Sequence, residues 1–118
     1  MTIRNALAAV AVKDLPESAK WYARLLGRPA DSTPMPEVAE WKFSGGGWLQ
    51  VYQSKERVGT GSFTLAVTDI AEQVAALKKI GIDPGRQMGG EKVKVVMIKD
   101  PDGNSIAFAE AKDRTMAQ

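Results

Sequence analysis

Apolar positions along this chain follow two spacings, one helical and one alternating, and each occurs in both halves. Leu15, Ala19, Tyr22 and Leu26 recur at near-helical intervals, as do Ile70, Val74, Leu77 and Ile80. An aspartate precedes each run (Asp14, Asp69) and a glycine follows it (Gly27, Gly81), the residue types that cap helix starts and ends. The patterns predict helices over about 16–26 and 70–80. Glu17 in the first turn and Arg24 in the last suit the dipole of the first helix. Stretches of strand length surround them, rich in β-branched and alternating residues: "WLQVY", "SFTLAV", "VKVVMI" and "SIAFA". Strands are expected over 7–13, 38–44, 47–53, 61–67, 92–99 and 104–110, with short ones near 29–32 and 85–89. "SGGG" links the second and third of these, and "PMP" (Pro34 to Pro36) reads as loop.

The two halves are related. "VAVKDLPESA" (Val10 to Ala19) matches "LAVTDIAEQV" (Leu65 to Val74): Ala11/Ala66, Val12/Val67, Asp14/Asp69 and Glu17/Glu72 are identical. The same separation carries Pro29 onto Pro84 and Phe43 onto Ile98. One separation that holds across a strand, a helix and two later landmarks indicates an internal duplication. The expected architecture is α+β, two βαβββ modules in a single domain over 1–118. Module one spans about 1–53, a linker 54–60, module two about 61–110 and a polar tail 111–118.

Composition removes whole classes of chemistry. The 118 residues contain no His and no Cys. Imidazole acid/base catalysis, Ser-His-Asp and Cys-His nucleophiles, thiolate metal sites and disulfides are therefore absent. Any metal would need oxygen donors. With 16 Lys+Arg against 14 Asp+Glu, and no run of like charge, nucleic acid is not an expected partner. No apolar run approaches the ~20 residues of a membrane helix, so no membrane partner is expected. "ALAAVAV" (Ala6 to Val12) is short and is followed by Lys13 and Asp14, a poor signal peptide, and the cytoplasm is the expected location.

"KDPDGNSIAFAE" (Lys99 to Glu110) places Asp100, Asp102 and Asn104 at alternate positions, as a calcium loop does. Such a loop from Asp100 needs Gly at its sixth position and Glu at its twelfth, where Ser105 and Ala111 stand. Its flanks are strand-like, whereas the calcium motif needs helices. Asp at i, Pro at i+1 and Gly at i+3 instead suit a type I turn in a hairpin.

Two βαβββ modules, "VKDLPESAKWYARLLG" after the first strand, and "KDPDGNSIAF" in the last hairpin resemble the vicinal oxygen chelate superfamily. This is the group of glyoxalase I, extradiol dioxygenases and bleomycin-resistance proteins. The resemblance covers nearly the whole chain. It implies two open half-barrel sheets around a cavity with helices outside, commonly in a homodimer. In metal-dependent members, the first and last strands of each module supply ligands, usually His, Glu or Gln. Here those positions hold Leu7, Gln50, Ser62 and Ala107. Only Gln50 suits the usual role, and one amide, one hydroxyl and two alkyl groups make no divalent site. No metal and no cofactor are expected.

Strand alternation then gives an inward face. Trp48, Gln50 and Tyr52 share a side, as do Ser62, Thr64 and Ala66, and Ser105, Ala107 and Ala109. Leu7, Ala9 and Ala11 line the first strand, and Trp41 is added with its strand's phase left open. Trp21 and Tyr22 are read as helix packing. Aromatic faces with a few polar anchors make a ligand pocket. The expected ligand-binding residues are Trp48, Gln50, Tyr52, Ser62, Thr64 and Trp41. The expected function is metal-free capture of a small, partly planar organic molecule in a cavity of the homodimer. A cationic drug of the bleomycin type fits the slightly basic chain less well. The alternatives are a lyase or isomerase acting through carboxylate or tyrosine groups such as Glu110 or Tyr52, and a degenerate dimerisation module.

Overall fold

Local capping signals set both helices. A computed structural model of the chain describes residues 2–90 and 92–111, Ala111 by its backbone only. The elements run β1 (Leu7–Val12), α1 (Leu15–Leu26), β2 (Ser32–Met35), β3 (Val38–Lys42), β4 (Trp48–Gln53), β5 (Ser62–Ala66), α2 (Ile70–Lys79), β6 (Met88–Gly89), β7 (Val93–Lys99) and β8 (Ser105–Ala111). This is the predicted pair of βαβββ modules. Asp14 Oδ1 accepts from Glu17 N at 3.1 Å, and Asp69 Oδ1 accepts from Glu72 N at 3.1 Å. The duplicated residues thus do the same work in both halves. Gly27 ends α1 in the left-handed region at φ 80, where its N–H donates to Ala23 O. Each sheet supplies a second cap. Gln53 Oε1 accepts from Leu15 N at 2.9 Å, and Glu110 Oε1 accepts from Ile70 N at 2.7 Å.

The chain divides into two compact units. One runs to Gly61 and includes Pro101–Asn104; the other comprises Ser62–Asp100 and the chain from Ser105 onward. The first holds a four-stranded sheet in the order β1-β4-β3-β2, with β1 parallel to β4 and the other pairs antiparallel. The second holds β5-β8-β7-β6, again with only its first pair parallel. In the first unit α1 packs on β3 and β4. Val10, Val12, Leu15, Tyr22, Ala39, Trp41, Leu49 and Val51 are buried there. Tyr22 and Trp41 meet with ring centroids 6.2 Å apart, and Trp21 stands edge-on to Tyr22 at 4.9 Å. Tyr22 is thus core, as expected, whereas Trp21 remains half-exposed. In the second unit α2 packs on β7 and β8, burying Phe63, Leu77, Val96, Ile98, Ile106 and Phe108. Full burial of one such aliphatic or aromatic side chain contributes about 1.5–3 kcal/mol.

Beyond shifts of one or two residues at other ends, three strands differ from expectation in ways that matter to the sheets. β2 lies at 32–35 rather than 29–32 and runs through Pro34. It is an edge strand whose register breaks between Ser32 and Met35, which is where a residue without an N–H is tolerated. β6 shrinks to two residues, and its Gly89 sits at φ 107 where a Cβ would collide with the Val93 carbonyl oxygen. β8 extends to Ala111, and the remainder of the expected polar tail, 112–118, lies outside the described residues.

The "DPDG" turn forms as predicted, with Gly103 at φ 96. Asp102 Oδ2 accepts from Lys13 N at 3.0 Å. Fully buried Asn104 donates from Nδ2 to Ala11 O at 2.8 Å and accepts at Oδ1 from Gly61 N at 2.9 Å. Among the described residues, no helix is long and apolar enough to cross a membrane.

Candidate functional site

β4 carries the centre of the candidate site because it lies between β1 and β3 and alternates strictly. Leu49 and Val51 are fully buried beneath α1, while Trp48, Gln50 and Tyr52 lie half-exposed on the opposite, open face. On one side the register sets Leu7, Ala9 and Ala11 beside Trp48, Gln50 and Tyr52. On the other it sets Lys42, Glu40 and Val38 beside the same three. Small alanines thus flank Gln50 and Tyr52, and Leu7 is 50% exposed next to Trp48.

Glu40 is the residue that the strand pattern had not singled out. Gln50 Nε2 donates to Glu40 Oε2 at 2.9 Å, and Ser32 Oγ donates to Glu40 Oε1 at 3.0 Å. The carboxylate is thereby fixed in the middle of the face. Lys42 Nζ sits 5.8 Å from the centroid of the Trp48 ring, a cation–π contact. The signal for both residues is present in "VAEWK": Val38, Glu40 and Lys42 alternate with the apolar Ala39 and Trp41.

Trp41 does not belong to this face. It is 0% exposed, lies opposite Leu49 on the helix side, and donates from Nε1 to Arg28 O at 3.0 Å. Covering an indole and bonding its N–H stabilise this phase of β3 over the reverse, which would bury Glu40 and Lys42 instead.

In the second unit, Ser62 and Thr64 are exposed on the open face of β5, with Ser105 and Ala107 beside them in the register. Met97 is the next neighbour of Ala107 and is 43% exposed. This face carries small side chains and three hydroxyls, those of Ser62, Thr64 and Ser105. The structure therefore groups Trp48, Gln50 and Tyr52 on one unit and Ser62 with Thr64 on the other.

The metal-ligand positions of the superfamily fall on these open faces. Leu7 and Ala107 offer only carbon, Ser62 offers a hydroxyl, and Gln50 offers a single amide oxygen while its nitrogen donates to Glu40. Among the described residues, no three His, Cys, Asp or Glu side chains gather where they could hold an ion. The donor set does not fit a divalent metal. Glu110, a candidate carboxylate for an enzymatic alternative, is taken up by the N-terminus of α2.

Other polar groups lie off the open face. Asp31 accepts from Arg28 Nη1 at 2.5 Å and from Lys42 N at 2.6 Å. The Arg28 hydrogen bond, helped by the Lys42 amide, holds its carboxyl below the ordinary range. A separate cleft of about 340 Å³ lies between α1 and the 101–102 turn, lined by Lys13, Lys20, Trp21, Arg24, Pro101 and Asp102 among others. Its charges are already engaged in part, through the Glu17–Lys20 pair at 3.6 Å and the cap at Asp14.

The profile of a family described as "Glyoxalase-like domain" matches residues 8–109. A solved glyoxalase/bleomycin resistance protein from Catenulispora acidiphila is 31% identical and superposes with a TM-score of 0.83, over 92% of this chain and 99% of that one. A lactoylglutathione lyase from Agrobacterium tumefaciens, 18% identical, shares the fold at a TM-score of 0.76 over 95% and 96% of the two chains. A virulence protein from Salmonella typhimurium does so at 20% identity and a TM-score of 0.74, over 94% and 98%. No curated protein matches the sequence.

Proposed function

The chain belongs to the glyoxalase-like domain family, and from that premise we propose that it captures a small, partly planar organic molecule without metal or cofactor. The observation that carries this reading is the asymmetry of β4. One of its faces is sealed by α1, while on the other Trp48, Gln50 and Tyr52 remain half-exposed, with Ala11 and Val38 buried beside Tyr52. Flat apolar surface beside one oriented amide and one carboxylate suits a ligand with an aromatic body and a polar edge. The relative from Catenulispora is described by both an enzyme name and a resistance name. The donor set here favours capture over metal-assisted chemistry.

The binding unit is a homodimer in the cytoplasm, with the ligand cavity formed once a second copy covers the open faces. Exposed Leu7, Met35, Met88 and Met97 supply apolar surface for such a contact. Light scattering at micromolar concentration should then give about twice the 12.7 kDa chain mass. The functional test is tryptophan fluorescence against a library of aromatic metabolites and antibiotics. Stacking on an indole contributes on the order of 0.5–1.5 kcal/mol beyond area burial, so Trp48→Ala should weaken binding by about three- to tenfold or more with the fold intact. A library without a single quencher, together with unfolding of Trp48→Ala, would remove the proposal.

A further inference from the structure

We propose that Glu40 reads the charge of the ligand, and that the open face of the first unit takes a planar organic cation bearing N–H donors, such as an aryl amidinium. The inference rests on the reading that this face captures a flat molecule, and it assigns the chemical class of that molecule.

The argument comes from register. Glu40 lies directly opposite Gln50, so its diagonal neighbours on the same face of β4 are Trp48 and Tyr52. Diagonal positions are about 7–8 Å apart at Cα, within reach of aromatic and long side chains. One carboxylate therefore sits between two aromatic rings. A carboxylate attracts an N–H cation, and ring faces attract the same charge through their quadrupoles. The carboxylate is oriented in advance. Ser32 occupies one site on Oε1 and Gln50 one on Oε2. Since a carboxylate offers about four lone-pair sites, roughly one per oxygen remains, which suits the two parallel N–H groups of an amidinium. Among the described residues, Glu40 forms no ion pair.

Lys42 is the other charge on this face, and its ammonium rests over the Trp48 ring. The protein's own cation thus occupies the position that a ligand's cation would take, and its flexible stem lets it leave. The net charge of +2 acts over long distances, but inside the screening length of roughly 8–10 Å the carboxylate that meets the ligand's N–H groups outweighs it, with Lys42 opposing in part until it swings away. The slightly basic composition is for that reason no argument against a cationic ligand here.

The test is titration calorimetry on the full chain with three near-isosteric probes: 2-naphthamidine, 2-naphthamide and 2-naphthoate. The wild-type protein should bind the amidinium about tenfold or more tighter than the amide, with the carboxylate weakest, and added salt should narrow the gap. Glu40→Gln should bring the amidinium down to about the level of the amide measured in the same variant. The wild-type series stands without the variant, so misfolding of Glu40→Gln does not blunt the test. Amide or carboxylate binding as tight as the amidinium in wild type overturns the cation inference. If such neutral or anionic binding also depends on Trp48, the capture reading survives alone. If none of the three binds at millimolar concentration, the cation inference falls and the capture reading is decided by the fluorescence screen alone.

Discussion

Replacing Asn104 by alanine tests what holds the first unit together. The Asn104 amide is fully buried and joins Ala11 O of β1 to Gly61 N, both within the first unit. Alanine would leave that carbonyl and that N–H without their partner, and would leave a void where the amide stood. An unsatisfied buried polar group costs about 1–3 kcal/mol. Gly61 is only half-buried, so water can reach its N–H in part, and the sum falls to about 2–4 kcal/mol. For a chain of this length that is a fall of very roughly 8–20 °C in melting temperature. Asn104→Asp sharpens the test. Its carboxyl keeps an acceptor for Gly61 N but loses the donor to Ala11 O. When ionised, it would press a negative oxygen against that carbonyl in a buried site, so its folded pKa lies above the unfolded value of about 3.9. The folded state then holds the proton more tightly. The acid form, which can donate to Ala11 O, keeps its stability below about pH 4 and loses it as pH rises through the folded pKa. Thermal melts of the two variants and wild type at pH 4 and pH 7, at one fixed protein concentration, provide the assay. The reasoning is refuted by Asn104→Ala within about 0.5 kcal/mol of wild type, or by Asn104→Asp losing no more stability at pH 7 than at pH 4.

The sheet-borne helix caps give a second expectation: Glu110→Ala should cost about 1 kcal/mol in denaturant unfolding by exposing the first N–H of α2, and Glu110→Gln should recover most of it, as Gln53 performs the same task for α1 with an amide. Asp31 should titrate below the ordinary carboxylate range in an NMR pH series and move back up in Arg28→Ala, because the Arg28 hydrogen bond is the main cause of its depression. Since that pKa is lowered on folding, whatever stability it contributes is present above the unfolded value of 3.8 and lost as pH falls through the folded one. Elemental analysis of protein purified without chelator should find no stoichiometric Zn, Ni, Fe or Mn, and a near-stoichiometric content of any of them would contradict the donor argument built on Leu7, Gln50, Ser62 and Ala107.

Much of the fold was legible because its signals are local. Asp14 and Asp69 bond three residues ahead, and Gly27 and Gly81 adopt positive φ, so cap and stop lie within one turn of the helix they bound. The duplication set the module order, and the absence of His and Cys narrowed the chemistry by composition alone. Alternation alone placed Trp48, Gln50 and Tyr52 on one face, since a strand's period is fixed by its backbone. What alternation cannot supply is which face a strand turns to the helix, or which residue stands across from it. Those depend on packing and register between segments far apart in sequence. Trp41 went beneath α1 because covering its indole outweighs leaving it open, and that choice lifted Glu40 onto the exposed side. The bond from Glu40 to Gln50 then exists only because β3 and β4 pair in this register. Asn104 reaches Ala11 from 93 positions away, and Glu110 reaches α2 across 40. A side chain's propensity says nothing about such partners, because the free energy that selects them is gained only when the sheet has formed and buried one of its faces.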